Sequence, residues 1–420
     1  MKIGLMKHVL PLLLFVVSLL ASCTKQQGKV VVCIPVYGQS LALAEEAERV
    51  TDFDSLAEVG QGRIVTERMD HQYGYFDLNR KKQWMKRMLG YKRRAFELSV
   101  YGMAGSLVRE LGADTLVCIF PGGRGATAIA ELSKGSEPYR CFLEDVERAF
   151  RNANDNGWAF VMPAVCWMQG ESDLFDYTNT DYKQALSQFA RDLNADVKRI
   201  TGQADDVRMI CYQTNLVTCA DRFSRENFHA VETAVPQAMM ELVRDDTLFW
   251  ASGPTYPYTF ARELKHIDGV SQNRLGQLAA LSAMDIIRDG TRRRGLVPLG
   301  ATACGTEVVV RFNVPSSPLV LDTLSVVNPG NYGFSVITPD SRDIASMVTL
   351  QGDSIVIRCK EQAEGCKVRY AVNGEPMKSG WERGPRGNLR DSQGEALKAV
   401  VQGRSYPLSN WCYQFDMLIQ

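Results

Sequence analysis

Four blocks along this chain put reactive or polarising side chains where an acyl-transfer site could use them. The first is Tyr37-Gly38-Gln39-Ser40, which closes an apolar run and is followed by a helix-like stretch with Glu45 and Glu46. A serine just past a strand end, at a helix start, gains backbone N–H groups that favour a developing oxyanion. The same position is also where serine serves well as a helix N-cap. A second apolar run ends in Gly122-Gly123-Arg124-Gly125-Ala126-Thr127. Glycine lets backbone approach a ligand closely, so this segment could supply an oxyanion N–H or be a plain turn. It is not a phosphate loop, since no Gly-Lys-Ser or Gly-Lys-Thr follows. A third run ends in Trp167-Met168-Gln169-Gly170-Glu171-Ser172-Asp173. Gln169 could put an amide donor in the same cleft or belong to a polar loop. Glu171 is expected to brace that loop and Asp173 to be solvated.

Such a site needs a general base. The chain has four histidines. His8 lies in a leader segment, which leaves His71, His229 and His266. His266 follows the last strand of the alternating region and opens the segment into its final helix. Glu263, three residues earlier, could orient the imidazole and stabilise its protonated form. An isolated histidine can equally be a structural one.

The elements that must position these residues alternate from Lys29 to about Asp289. Apolar runs of strand length (30–36, 115–120, 158–167, 207–213 and 248–251) alternate with amphipathic stretches (95–111, 143–154, 182–200, 228–243 and 276–288). Continuous apolar strands alternating with helices predict an α/β unit, a parallel sheet covered on both faces. In such sheets the site lies outside the carboxyl ends of the strands. After Gly295 strand-like runs dominate, at 307–312, 319–327, 354–359 and 367–372, with turns at Asn328-Pro329-Gly330 and Asn373-Gly374. Residues 296–420 therefore read as a smaller all-β domain after an α/β domain at 24–295. The polar loop Trp381–Asp391, with Arg386, could fold over the cleft or be an exposed loop.

Residues 1–23 stand apart from the fold. Lys2 and Lys7 precede an apolar run from Val9 to Leu20, too short for a comfortable span and typical of a secretory signal. It ends in Leu20-Ala21-Ser22-Cys23, which resembles a bacterial lipobox, and a polar tether follows. That resemblance implies acylation of Cys23 and anchoring to a lipid bilayer, facing the periplasm or the cell surface. Lys plus Arg equals Asp plus Glu at 48 each, so nothing suggests a nucleic-acid binder. The 45% of hydrophobic residues argues against disorder. Among the 11 cysteines, Cys33, Cys118, Cys166 and Cys211 sit in apolar runs and read as buried thiols, while Cys359 and Cys366 flank a turn and could pair. No Cys or Cys/His cluster has zinc spacing, so no metal is expected. No cofactor is expected, and no obligate protein partner is evident.

Taken in order, these blocks resemble the SGNH hydrolases, and within them the sialate O-acetylesterase-like carbohydrate esterases. The resemblance covers roughly residues 30–290. It is carried by Gly38-Gln39-Ser40, by Gly125-Ala126-Thr127, by Trp167-Met168-Gln169-Gly170-Glu171, and by His266 with Gly276 ten residues later. It implies a three-layer, flavodoxin-like parallel sheet and a serine esterase acting on an acetylated glycan such as sialic acid or a cell-wall polysaccharide. By that resemblance Ser40 attacks the ester, His266 takes its proton and Glu263 orients His266. The backbone N–H groups of Ser40 and Gly125, with the Gln169 side chain, hold the oxyanion. Gln169→Ala is then expected to cost about 3 kcal/mol of transition-state stabilisation. Gln39 and Glu171 support the site, and Arg124 or Arg386 could meet a sugar carboxylate. Three positions depart from the family pattern: Leu41 replaces an Asn, Ala126 a Gly, and Glu263 an Asp. Asp268-Gly269-Val270 imitates the family's Asp-Gly-x-His block with Ser271 in the histidine's place, and in that register the site would lack its base. An inactive glycan-binding lipoprotein and an O-acetyltransferase are the alternatives on the same fold.

Overall fold

The apolar runs pair edge to edge, all parallel, into one twisted sheet. The structure is a computed structural model describing residues 28–67, 69, 96–175, 181–214, 218–219, 231–232, 234–261, 266–375 and 378–420. The central strand is β1 (Val30–Cys33) continued by β2 (Val36–Gly38). β3 (Ile64–Val65) and β4 (Thr115–Cys118), continued by β5 (Pro121–Gly123), lie on one side. On the other lie β6 (Ala159–Val161), continued by β7 (Ala164–Met168), then β8 (Arg208–Gln213) and, past the antiparallel pair of β9 (Thr218–Cys219) and β10 (Val231–Glu232), β11 (Phe249–Pro254). Each of the three central runs breaks once. Two breaks hold Pro35 and Pro163, which have no N–H to give to a ladder. Backbone bonding still crosses them, with Cys166 N donating to Pro35 O and Arg208 N to Pro163 O, both at 2.9 Å.

Helices cover both faces. Successive residues of a strand point to opposite sides, and β7 shows it. Trp167 packs on Phe189 of α5 (Tyr182–Thr201), ring centroids 4.5 Å apart, while its neighbour Cys166 meets Met103 of α2 (Ser99–Glu110) at 3.7 Å. α1 (Phe53–Gly60), α2 and α7 (Gly269–Ile287) pack together, as do α3 (Glu137–Asp155), α5 and α6 (Ala234–Asp245); α4 (Glu171–Phe175) is a single short turn after β7.

α7 begins at Gly269, seven residues before the expected start at 276. Asp268 is its N-cap and accepts from Ser271 N at 2.8 Å, which satisfies a donor that the helix leaves open. The stretch after Ser40 departs further. Residues 40–46 are successive turns, not a helix, with positive φ at Ala44 (56°) and Glu46 (63°). Right-handed helix cannot pass through such residues, so Ser40 receives no helix field.

Past α7 the sheets turn antiparallel. β12 (Val297–Cys304), β13 (Glu307–Asn313), β17 (Ser354–Cys359) and β16 (Ala345–Gln351) form one in that order; β15 (Phe334–Ile337), β18 (Lys367–Tyr370) and β22 (Phe415–Leu418) form another. Two-stranded pairs join β14 (Val320–Leu321) to β19 (Leu389–Arg390) and β20 (Lys398–Val401) to β21 (Arg404–Pro407). Cys359 and Cys366 are buried free thiols, not a disulfide.

The segment before β22 docks on the parallel sheet through buried polar groups. Gln213, at the end of β8 and 0% exposed, donates to Gln414 O at 2.9 Å and to Pro236 O at 2.8 Å, and accepts from Gln414 N at 2.7 Å. Tyr413 OH accepts from Gly253 N at 3.0 Å. Removing one partner of a buried hydrogen bond strands the other at a cost of roughly 1–3 kcal/mol. Gln213→Ala strands three groups, so thermal and urea unfolding should show a loss on the order of 3 kcal/mol or more; an unchanged midpoint would show that the contact contributes nothing.

Candidate active site

Three strand ends meet at the centre of the sheet's carboxyl edge. Gly38 lies in register with Gly123 on one side and Met168 on the other. The approach is too close for a side chain. A Cβ on Gly38 would lie 2.0 Å from Met168 O, and one on Gly123 would lie 1.8 Å from Gly38 O. Gln39 N donates to Met168 O and Arg124 N to Gly38 O, both at 3.0 Å. Ser40, Gly125 and Gln169 thus leave the sheet side by side, at the edge where parallel sheets bind ligands. Ser40 is 4% exposed. Among the described residues, its N–H and hydroxyl and the N–H of Gly125 have no hydrogen-bond acceptor. Donors left unspent beside a serine hydroxyl are what an oxyanion would use.

Around them the polar side chains are committed. Gln39 Oε1 accepts from Ser172 N at 3.1 Å and Gly170 N at 3.5 Å, holding the neighbouring strand end. Gln169 is fully buried, and its amide nitrogen donates to Thr127 O at 3.2 Å and to the Asp173 carboxylate. Its Oε1 accepts from Tyr182 OH at 2.8 Å. Both amide hydrogens are taken, so Gln169 here braces the cleft rather than pointing a donor into it, which corrects the oxyanion role expected of its side chain. Asp173 is likewise no solvated loop residue, since it also accepts from Ile129 N at 3.0 Å. Arg124 stands at the rim, with Nε on Thr127 Oγ1 at 3.0 Å and an ion pair to Glu131 at 2.7 Å.

His266 stands on a loop closed by Ala261 N donating to His266 O at 2.7 Å and Asp268 N to Thr259 O at 3.1 Å. It is 7% exposed, and its Nδ1 lies 3.3 Å from Glu46 Oε2. A carboxylate on Nδ1 selects the tautomer with the proton there and the lone pair on Nε2. α7 presses the loop onto the Ser40 turn. Gln272 Nε2 donates to Leu41 O at 2.9 Å, and a Cβ on Gly269 would lie 1.8 Å from Glu48 O. Ser271 faces inward, its hydroxyl accepting from Thr259 N at 3.1 Å. Asp268 and Ser271 are thus occupied as helix cap and loop anchor.

Glu171 lies under this edge, 3% exposed, accepting from Tyr212 OH at 2.5 Å. Burial holds its carboxyl above the usual range; the Tyr212 hydroxyl and, more weakly, the charge of His266 pull it the other way. Among the described residues no group of three or more His, Cys, Asp or Glu side chains could hold a metal ion.

A family model, "Carbohydrate esterase, sialic acid-specific acetylesterase", matches residues 59–284, more than half of the chain. The chain belongs to this family. It is a carboxylic ester hydrolase, a carbohydrate O-acetylesterase. XAC1771, a carbohydrate acetylesterase from Xanthomonas citri, is 14% identical with a TM-score of 0.55, over 93% of this chain and 80% of its own. At that identity the likeness concerns the fold, and its coverage runs into the antiparallel sheets. NanS is 15% identical over 63% of this chain and all of its own, TM-score 0.40. A protein of Arabidopsis thaliana is 15% identical over 61% and 98%, TM-score 0.43. No curated protein matches.

In this esterase the expected residues Ser40, Gln39, Gly125, Gln169, Glu171 and Arg124 gather at one edge, with His266 beside the Ser40 turn. Arg386 does not join them. It is 7% exposed and donates to Val327 O at 2.6 Å and Gly384 O at 2.8 Å, so it ties two C-terminal loops together, which corrects the expected sugar contact. His71, His229, Glu263 and Cys23 lie outside the described residues. Glu46 was missed as a partner for His266, because 220 positions separate them and only folding brings them together.

Glu171 makes a pH test. Its raised carboxyl is neutral in both folded and unfolded chains at low pH and costs nothing there. Above the usual carboxylate range the unfolded chain ionises first, so stability falls as pH rises through the folded value. Glu171→Gln keeps an oxygen for Tyr212 and should melt higher than wild type at pH 8, with the gain shrinking toward pH 4. Melting curves across that range check it; a gain that grows on acidification would be the wrong sign.

Proposed function

We propose that this esterase removes O-acetyl groups from a glycan through an acetyl-enzyme on Ser40. Ser40 Oγ attacks the acetyl carbonyl while His266 Nε2 takes the hydroxyl proton, and Glu46 steadies the imidazolium through Nδ1. The oxyanion is held by the N–H groups of Ser40 and Gly125. His266 returns the proton to the leaving sugar oxygen. It then activates a water that releases acetate and regenerates the serine. The observation that carries this reading is the approach of His266 Nδ1 to Glu46 Oε2 at 3.3 Å, six residues past Ser40. It puts the imidazole against the turn that carries Ser40. The glycan is a sialic acid or a cell-wall polysaccharide. The enzyme works outside the cytoplasm, anchored to a bacterial membrane through acylated Cys23.

The test is acetate release from p-nitrophenyl acetate and from a panel of acetylated sialic acids and plant polysaccharides. Ser40→Ala should lower kcat by about a thousandfold or more on every substrate that turns over. Full activity in Ser40→Ala would refute the nucleophile. Acetyl transfer to an added sugar in preference to water would make the enzyme a transferase, and glycan binding without turnover a binding module. Glu46→Gln should lower kcat about a hundredfold; a larger loss in Glu263→Gln would return the orienting role to Glu263.

A further inference from the structure

Glu97 precedes α2, well away in sequence from every residue assigned a chemical role, and it is completely buried. A carboxylate in such a place is expensive unless its lone pairs are met. Here four donors meet them. Oε2 accepts from Val50 N at 2.9 Å and Thr51 N at 2.8 Å. Oε1 accepts from the Thr51 hydroxyl at 2.5 Å and from Asn273 Nδ2 at 2.8 Å. Glu97 N also donates to Ala47 O at 3.0 Å. Among the described residues no cation pairs with it.

The donors come from two stretches of chain that share nothing else in sequence. Val50 and Thr51 end the segment that begins at Ser40 and carries Glu46. Asn273 stands in the second turn of α7, seven residues past His266. Asn273 Nδ2 also reaches the Thr51 hydroxyl at 3.1 Å, so the two stretches close on each other as well as on the carboxylate. Only a carboxylate offers lone pairs for four converging donors; a glutamine has one accepting oxygen and would turn its NH₂ toward one pair of them.

We propose that Glu97 is a positioning residue for the esterase reaction, holding the turn that bears Ser40 and Glu46 in register with the helix start that follows the His266 loop. This rests on the proposed roles of those three residues. Its effect is transmitted through the 47–51 segment and α7 to the Glu46–His266 contact. Misplacing that contact slows the chemical step without touching the bound acetyl ester.

The experiment measures kcat and KM of the full chain for p-nitrophenyl acetate, with the active sites counted by stoichiometric reaction with a fluorophosphonate, in wild type, Ser40→Ala, Glu97→Gln and Thr51→Val. Per titrated site, kcat should fall roughly tenfold or more in Glu97→Gln and roughly threefold or more in Thr51→Val, with KM within about twofold of wild type. A lower melting temperature with kcat per site unchanged would mean that Glu97 only stabilises the fold, and would overturn the proposal. If Glu97→Gln yields no folded protein, Thr51→Val decides by the same criterion. Wild type without Ser40-dependent turnover would refute the functional reading itself, and the positioning role with it; Ser40-dependent turnover with unaffected variants would refute the positioning role alone.

Discussion

The centre of this molecule is a place where three backbones come closer than any side chain allows. Gly38 fits between the ends of β5 and β7, with Met168 O on one flank, and its own carbonyl occupies the space a Cβ on Gly123 would need. The ladder bonds at 3.0 Å from Gln39 N and Arg124 N continue the sheet through the contact. Because the ladder ends together on these strands, the residues after them emerge together. An oxyanion site built from backbone N–H groups needs that coincidence, since such donors cannot reach out as side chains do.

Everything else near the edge either braces this arrangement or brings the imidazole to it. Gln39 and Gln169 point sideways into neighbouring backbone and into Asp173 and Tyr182, making the loops mutually dependent. α7 starts with a cap on Asp268 and a glycine lodged against Glu48, which brings the His266 loop down on the Ser40 turn. The buried acids show the cost. Burial holds both Glu97 and Glu171 above the usual carboxylate range, opposed by the hydrogen bonds each one accepts. Apolar residues could fill the same volume; carboxylates there set directions as well as distances.

The C-terminal sheets share in this order. Most of their buried hydrophobic residues belong to the cluster that starts at Val31 and reaches Ile419, and the Gln213–Gln414 exchange ties the residue before their last strand to the end of β8. Arg386, which in isolation looks available to a ligand, spends its guanidinium on backbone carbonyls of the loops between those sheets' strands.

The parallel strand runs, most of the helices between them and the all-β texture after Gly295 were legible in composition and periodicity, because burial on one face or two leaves its mark every second or fourth residue; the run at 319–327 is a strand only over Val320–Leu321, and the helix expected from 228 starts at Ala234. The serine, glycine and Gln-Gly-Glu blocks were legible too, since each lies where an apolar run ends. What could not be read were facts of direction and of distant pairing. The stretch after Ser40 has helical residue types, yet positive φ at Ala44 and Glu46 makes it a turn. That turn carries the Glu46 carboxylate to a histidine 220 positions away. Gln169 was expected as a donor, but its two hydrogens were taken by Thr127 and Asp173. Local sequence determined which segments bury and which loops follow the central strands, because those depend on neighbours in the chain. Which acid meets His266, and which amide is left unspent, depended on groups that only the closed fold makes neighbours.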